Sequence, residues 1–183
     1  NPTFVAGKDN EVTHEIREAH GYGYSSSYGG EFAGRDLVAL QARRGVQIWD
    51  WTDVYTPTRV SSIFLPDISG GDYTNANWWT FWQAPYIYVA GADSGIYVID
   101  ATDPANPEMV NRIPNSETGG FRVGSLYAIG NLLVIAGNDV PGYATLDISD
   151  PVEPKLLDST IQGPENYSVL VNGNRIFGAA RFK

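Results

Sequence analysis

Asp50, Asp100 and Asp147 each head the same short spelling, Asp-x-Thr/Ser-Asp, which Asp53, Asp103 and Asp150 close. Carboxylates in that pattern admit two chemistries. Gathered into a ring, they could hold a divalent cation such as calcium, which takes hard oxygen ligands. Left on separate turns, each Asp accepts from backbone amides just ahead of it, and Ser or Thr hydroxyls add to the same turn. Recurrence in every unit favours the turn, because what repeats identically serves the architecture that every unit shares.

His14 and His20 are the two histidines of the chain, with Glu15 beside the first and Glu11 and Glu18 close by. Imidazole and carboxylate together are metal-ligand chemistry. The spacing differs from the His-Glu-x-x-His zinc helix, whose ligands share a face at i and i+4. Six residues apart, the two rings diverge by about 120° on a helix but share a face on a strand. A metal site of His14, His20 and Glu15 is one reading; a solvated loop is the other. In either case this charged segment enters the first repeat unit, where a β scaffold grows function on its loops.

The densest aromatic cluster is Asn77-Trp-Trp-Thr-Phe-Trp-Gln83. Strand alternation puts Trp78 and Trp82 on one side and Trp79 and Phe81 on the other. Two apolar faces suit a sheet packed on both sides. The alternative use of Trp78, Trp79 and Trp82 is a surface platform on which a sugar or a partner's side chain stacks.

Other catalytic spellings are missing. Gly91-Ala-Asp-Ser-Gly95 is not the Gly-x-Ser-x-Gly elbow, and Gly119-Gly-Phe-Arg-Val-Gly124 lacks the dinucleotide pattern. Pro66-Asp-Ile-Ser-Gly-Gly-Asp72 has the composition of a calcium loop without its Asp-x-Asp spacing or final Glu. No catalytic residue or cofactor follows from the sequence.

The 183 residues carry net charge −9, no cysteine, and 43% hydrophobic residues including 5 Trp, 11 Tyr and 7 Phe. That is too apolar for a disordered chain. The acidic balance argues against a nucleic-acid partner, since such binding begins with Lys and Arg neutralising phosphates. Apolar runs are too short to span a bilayer as helices. Without cysteine there is neither a disulfide framework nor a thiolate nucleophile. The Asn1-Pro2-Thr3 start carries no Met and no apolar leader, which reads as a mature or trimmed product.

The elements that must position these residues are β-strands. Short runs such as Tyr86-Ile-Tyr-Val-Ala90 and Leu132-Leu-Val-Ile-Ala136 are rich in β-branched and aromatic residues, with Gly, Asn, Asp and Pro between them. Three segments starting at Gly45, Gly95 and Gly142 align without gaps through Pro57, Pro107 and Pro154, at roughly 50-residue intervals. In the second unit, four strand-like pieces are expected at 78–83, 86–90, 95–100 and 108–113. The third repeats them at 121–129, 132–136, 143–147 and 155–161. Four antiparallel strands per unit, repeated in register, predict an all-β fold, a β-propeller of four-stranded blades. The units fall at approximately 20–66, 77–114 and 121–162 of a single propeller over 1–183. Partial flanking units are expected at 1–8, spelled like a fourth strand, and at 166–183, which offers first and second strands. Since propellers close with at least four full blades, the chain is expected to be part of a larger propeller, completed by further sequence or another chain.

The spelling itself, Gly-Ile-Tyr-Val-Ile-Asp-Ala-Thr-Asp-Pro-Ala-Asn-Pro107 and Leu-Asp-Ile-Ser-Asp-Pro-Val-Glu-Pro154, resembles the LVIVD-repeat family. The first unit departs from it, with Val54 where the others have Pro. The resemblance implies a β-propeller of exported, periplasmic or cell-surface proteins, and no particular reaction. The function expected is a non-catalytic binding or scaffolding module presenting loops to a protein or a surface polymer. Two alternatives are a hydrolase-like propeller enzyme with its site at the central channel, and a structural subunit of an extracellular assembly.

Overall fold

The computed structural model describes residues 26–42, 44–68 and 76–180. The His14, Glu15 and His20 group and the 1–8 unit lie outside the described residues, as does the end of the Pro66–Asp72 run. The chain forms strands β1 (Ser26–Phe32), β2 (Arg35–Ala42), β3 (Gly45–Asp50), β4 (Thr58–Phe64), β5 (Trp79–Gln83), β6 (Tyr86–Ala90) and β7 (Ile96–Asp100). These are followed by β8 (Glu108–Ile113), β9 (Val123–Ile129), β10 (Leu132–Gly137), β11 (Tyr143–Asp147), β12 (Lys155–Thr160), β13 (Asn166–Asn172) and β14 (Arg175–Ala180). Three four-stranded sheets follow chain order, β1 to β4, β5 to β8 and β9 to β12, and β13 pairs with β14. Every pairing is antiparallel.

Consecutive sheets meet through their first strands: β1 lies against β5, β5 against β9, and β9 against β13. The fourth strands are outermost, and β12 is exposed along its whole length. This is the radial order of propeller blades. Three cores fill the seams, the smallest of them, Val134, Ala136, Val169 and Val171, between the third blade and β13. Leu37, Ala39, Val46 and Ile48 of the first blade pack with Trp82, Ile87, Val89, Tyr97 and Ile99 of the second. Tyr88, Ala90, Ile96 and Val98 pack on the other side with Leu126, Leu133, Ile135 and Leu146 of the third. Apolar residues on both faces of a middle strand, as in Tyr86-Ile-Tyr-Val-Ala90, are what two flanking sheets require.

One irregularity repeats with the sequence. The third-to-fourth strand register shifts between Ile48 and Trp49, between Val98 and Ile99, and between Thr145 and Leu146. Each shift falls four residues into the aligned segments. A bulge there raises the local twist of each blade at the same place.

The repeated glycine that opens these segments has a steric reason. A Cβ on Gly45 would run into the carbonyl of Ile63, and one on Gly95 into that of Ile113. Gly95 also holds φ +87, a left-handed backbone that glycine adopts without strain.

Candidate functional site

Because the strands alternate in direction, connections within a blade fall on two ends. Tips between first and second strands, and turns between third and fourth, share one end, here the turn face. The second-to-third connections and the blade-to-blade crossings share the other, the loop face.

The turn face is built from the repeated aspartates. Asp50 Oδ1 accepts from the Thr52 amide at 2.9 Å, Asp100 Oδ1 from Thr102 at 2.8 Å, and Asp147 Oδ1 from Ser149 at 2.8 Å. The second aspartates do the same two residues on: Asp53 from Tyr55, Asp103 from Ala105, and Asp150 from Val152. Asp53 and Asp103 also accept from the Thr56 hydroxyl and the Asn106 amide with their other oxygens. At Asp50, Asp53, Asp103 and Asp147 these donors stabilise the charged form. The Thr56 hydroxyl and the Tyr55 amide hold Asp53 below the usual carboxylate range, and the Asn106 side chain and the Ala105 amide do so for Asp103. Asp50 is lowered by the Thr52 hydroxyl and amide, and Asp147 by the Ser149 amide and hydroxyl.

The turns also lock blade to blade. Ser61 on the first blade donates to the Pro104 carbonyl at 2.7 Å, and Asn111 on the second donates to the Val152 carbonyl at 2.7 Å. The Tyr88 hydroxyl reaches the Pro151 carbonyl at 3.1 Å. Asp50, Asp100 and Asp147 stand on three separate blades. Among the described residues, no group of three or more His, Cys, Asp or Glu stands close enough to share an ion.

Trp78 and Trp82 are taken up by packing, and Trp79 is half-buried beside them. Trp78 and Trp82 are 7% and 3% exposed. Trp82 stacks on Phe32 with centroids 5.2 Å apart, above Gly29, where any Cβ would strike its ring. Alternation placed Trp78 with Trp82, but the strand begins at Trp79. Trp78 therefore escapes the alternation and joins Trp79 and Phe81 in the core toward the third blade. Neither buried ring offers a face to a ligand.

The loop face does not repeat. Arg112 at the end of β8 donates from Nε to the Ser94 carbonyl at 2.8 Å and from Nη1 to Asp67 Oδ2 at 2.5 Å. Its guanidinium lies 5.2 Å from the Tyr97 ring centroid, and the Tyr97 hydroxyl bonds the Pro66 carbonyl at 2.6 Å. One arginine thus ties the first crossing to the β6–β7 loop of the second blade. Beside it, Arg122 forks onto Asp93, with Nε–Oδ1 2.8 Å and Nη2–Oδ2 3.2 Å. Bidentate pairs of this kind fix orientation as well as charge. Three non-glycine residues with left-handed backbone stand here, Asp67 (φ 61), Ala92 (φ 53) and Asp139 (φ 53), one in each of three neighbouring loops. Strain of this sort costs on the order of 1–3 kcal/mol and is held only where surrounding contacts over-determine the loop. Sequence reasoning passed over this group, since Arg112, Arg122, Asp67 and Asp93 have no common spacing.

Residues 85–114, from the tip before β6 to the end of β8, match the family model of the LVIVD repeat. The chain is a β-propeller carrying an LVIVD repeat. Among solved structures the propeller is similar to the computationally designed Ika4 protein, at 11% identity and TM-score 0.59 over 99% of this chain and 94% of that one. It is also similar to the N-terminal domain of Nup159, at 12% identity and TM-score 0.54 over 98% of this chain. There the propeller spans about half of the matched chain, 49%. At such identities the likeness shows the fold alone. No curated protein matches the propeller in sequence. Among the described residues, no helix is long and apolar enough to cross a membrane.

Proposed function

We propose that this propeller is a non-catalytic binding module of an exported or cell-surface protein, and that its loop face takes the ligand. The observation that carries the reading is the contrast between the two ends. On the turn face the same Asp turns recur and spend their carboxylates on their own amides. On the loop face the connections differ in length and sequence, and hold Asp67, Ala92 and Asp139 in left-handed backbone, against Ala33 on the turn face among the described residues. Conserving one face by repetition while varying the other is how a scaffold carries a specific surface. The partly exposed Asp67–Arg112 and Asp93–Arg122 pairs supply both donors and acceptors, which suits a polar partner, a protein or a surface polysaccharide. Export rests on the resemblance of the repeat.

The test compares adsorption of the wild-type chain, the double variant Arg112→Glu/Arg122→Glu and the turn-face variant Asp103→Ala on arrays of immobilised polysaccharides and proteins. Loss of capture in the loop-face variant alone is the expected result. Equal loss in the turn-face variant would move the site to the other end. Turnover of chromogenic ester, phosphoester or glycoside substrates, abolished by the loop-face variant, would replace the binding module with an enzyme.

A further inference from the structure

We propose that the seam between the third blade and β13 holds a calcium ion, bound by the side chains of Ser125, Asn138, Asp139 and Asn166. The inference concerns how this seam is held and does not rest on the loop face taking a partner.

These residues reach the seam from three segments. Ser125 on β9 stands opposite Ala136 of β10, and Ala136 packs with Val169 and Val171 of β13. Ser125 therefore shares that side of the sheet. Asn138 lies two residues past Ala136 and falls on the same side; its amide donates to the Arg122 carbonyl at 2.9 Å. Asn166 comes from the facing sheet, where its side-chain amide donates to the Gly142 carbonyl at 2.8 Å. The Asp139 amide donates to the Asn166 carbonyl at 3.3 Å, and the Asn166 amide to that of Val140 at 3.3 Å. This pair of bonds sets Asp139 beside Asn166.

Ser125, Asn138 and Asn166 are 0%, 2% and 0% exposed. Among the described residues, Ser125 Oγ, Asn138 Nδ2 and Asn166 Oδ1 have no hydrogen-bond partner. Buried polar groups in that condition are costly, and a single ligand can meet all three. The bond to Gly142 fixes the Asn166 amide, so what it presents to the seam is an oxygen. The two ends of the Asn138 amide have the same shape, and a turn of the amide presents Oδ1 in place of Nδ2. Asp139 is half-buried with its Oδ1 turned inward and buried. One hydroxyl, two amide oxygens and one carboxylate are hard-oxygen ligands of the kind calcium takes, with backbone carbonyls and water completing a shell of about six to eight. A single carboxylate among neutral oxygens is a different site from a ring of acids.

The other seams fill the corresponding places with side chains. Gln41 stands in the first where Ala136 stands in the third, four residues past the residue that faces the repeated Asp, and it donates to the Asn77 carbonyl. In the second, Trp79 stands opposite Ala90 as Ser125 stands opposite Ala136. The third seam has a small side chain at both places. Size then separates the candidate occupants. A water needs room for its whole sphere and sits about 2.8 Å from an oxygen. Ser125 and Asn166, at 0% exposure, border no gap of that size. Calcium bonds its oxygens at about 2.3–2.6 Å and needs less.

The probe is calcium itself. Calorimetric titration of CaCl2 into the 183-residue chain, freed of metal with EDTA and dialysed, should give one ion per chain with a dissociation constant of about 0.1–1 mM. At about 10 mM CaCl2 the melting temperature should rise by about 3–6 °C. The same concentration of MgCl2 should do far less, because magnesium demands a smaller, octahedral shell. Ser125→Ala and Asp139→Asn should each abolish the calcium shift; asparagine tolerates the left-handed backbone that Asp139 holds at φ 53. In EDTA, Ser125→Ala should melt no lower than the wild type, since it removes a buried hydroxyl that has nothing to bond there. No calcium binding by the wild type, an equal shift with magnesium, or an undiminished calcium shift in both variants would overturn the proposal. So would a Ser125→Ala protein that melts lower than the wild type in EDTA, which is the mark of a serine with a structural role alone.

Discussion

The side-chain amide of Asn77 donates to the backbone carbonyl of Gly45 at 2.7 Å, tying the entry of the second blade to the third strand of the first. Asn166 makes the same bond to Gly142 at 2.8 Å, one seam from the other end of the array. Both asparagines are buried, at 3% and 0% exposure, and Gln41 Nε2 adds a bond to the Asn77 carbonyl. Replacing Asn77 by Ala strands a buried carbonyl and should cost about 1–3 kcal/mol. Urea denaturation checks it, and Asn77→Asp, which turns a donor toward an acceptor into a second acceptor, should be worse than Ala. Equal stability of all three proteins would refute the clamp.

The Asp turns make stability depend on pH in one direction. Asp50, Asp53, Asp103 and Asp147 are held below the ordinary carboxylate range in the folded chain. A depressed folded value contributes stability above the unfolded value, near 3.9, and loses it as pH falls through the folded one. Melting temperature should therefore be flat from neutral pH to about 5 on this account and drop below about 4. Asp53→Asn/Asp103→Asn should flatten that drop, as measured by thermal melts from pH 7 to 3; an unchanged slope would assign acid sensitivity elsewhere.

Asp100→Ala removes the acceptor of the Thr102 amide and should cost about 1 kcal/mol without selective loss of any ligand. Binding that vanishes at constant melting temperature would give this carboxylate a direct role.

Gly95→Ala should be among the most damaging single substitutions, at about 2–4 kcal/mol. It combines a left-handed φ with a Cβ driven into the backbone of Ile113, so no side-chain movement relieves it. The comparison is Gly130→Ala, whose added Cβ meets nothing and which carries the φ penalty alone. If the two variants melt together, the steric account fails.

Trp82→Ala should open a cavity between the first two blades and cost about 3–5 kcal/mol, because its ring lies against Phe32 and Gly29. Tryptophan fluorescence and denaturation of the variant give the measurement. A loss under about 1 kcal/mol would mean that the seam collapses to fill the space.

What the sequence by itself determined is periodic or local. Strands such as Tyr86–Ala90, Glu108–Ile113, Tyr143–Asp147 and Arg175–Ala180 have the bounds that alternation and turn residues gave them. The Asp spelling names its own amide donors because they lie two residues away. Tertiary structure decided the rest. Trp78 changed sides because pairing with Ala90 starts at Trp79, and only the neighbouring strand sets where alternation begins. The bonds from Asn77 to Gly45, Arg112 to Asp67 and Arg122 to Asp93 join residues far apart in sequence, and no period links them. A repeat writes each blade in its own residues; the seams and the loop face depend on which residues adjacent blades bring within about 3 Å of each other, a distance set by packing rather than by spacing.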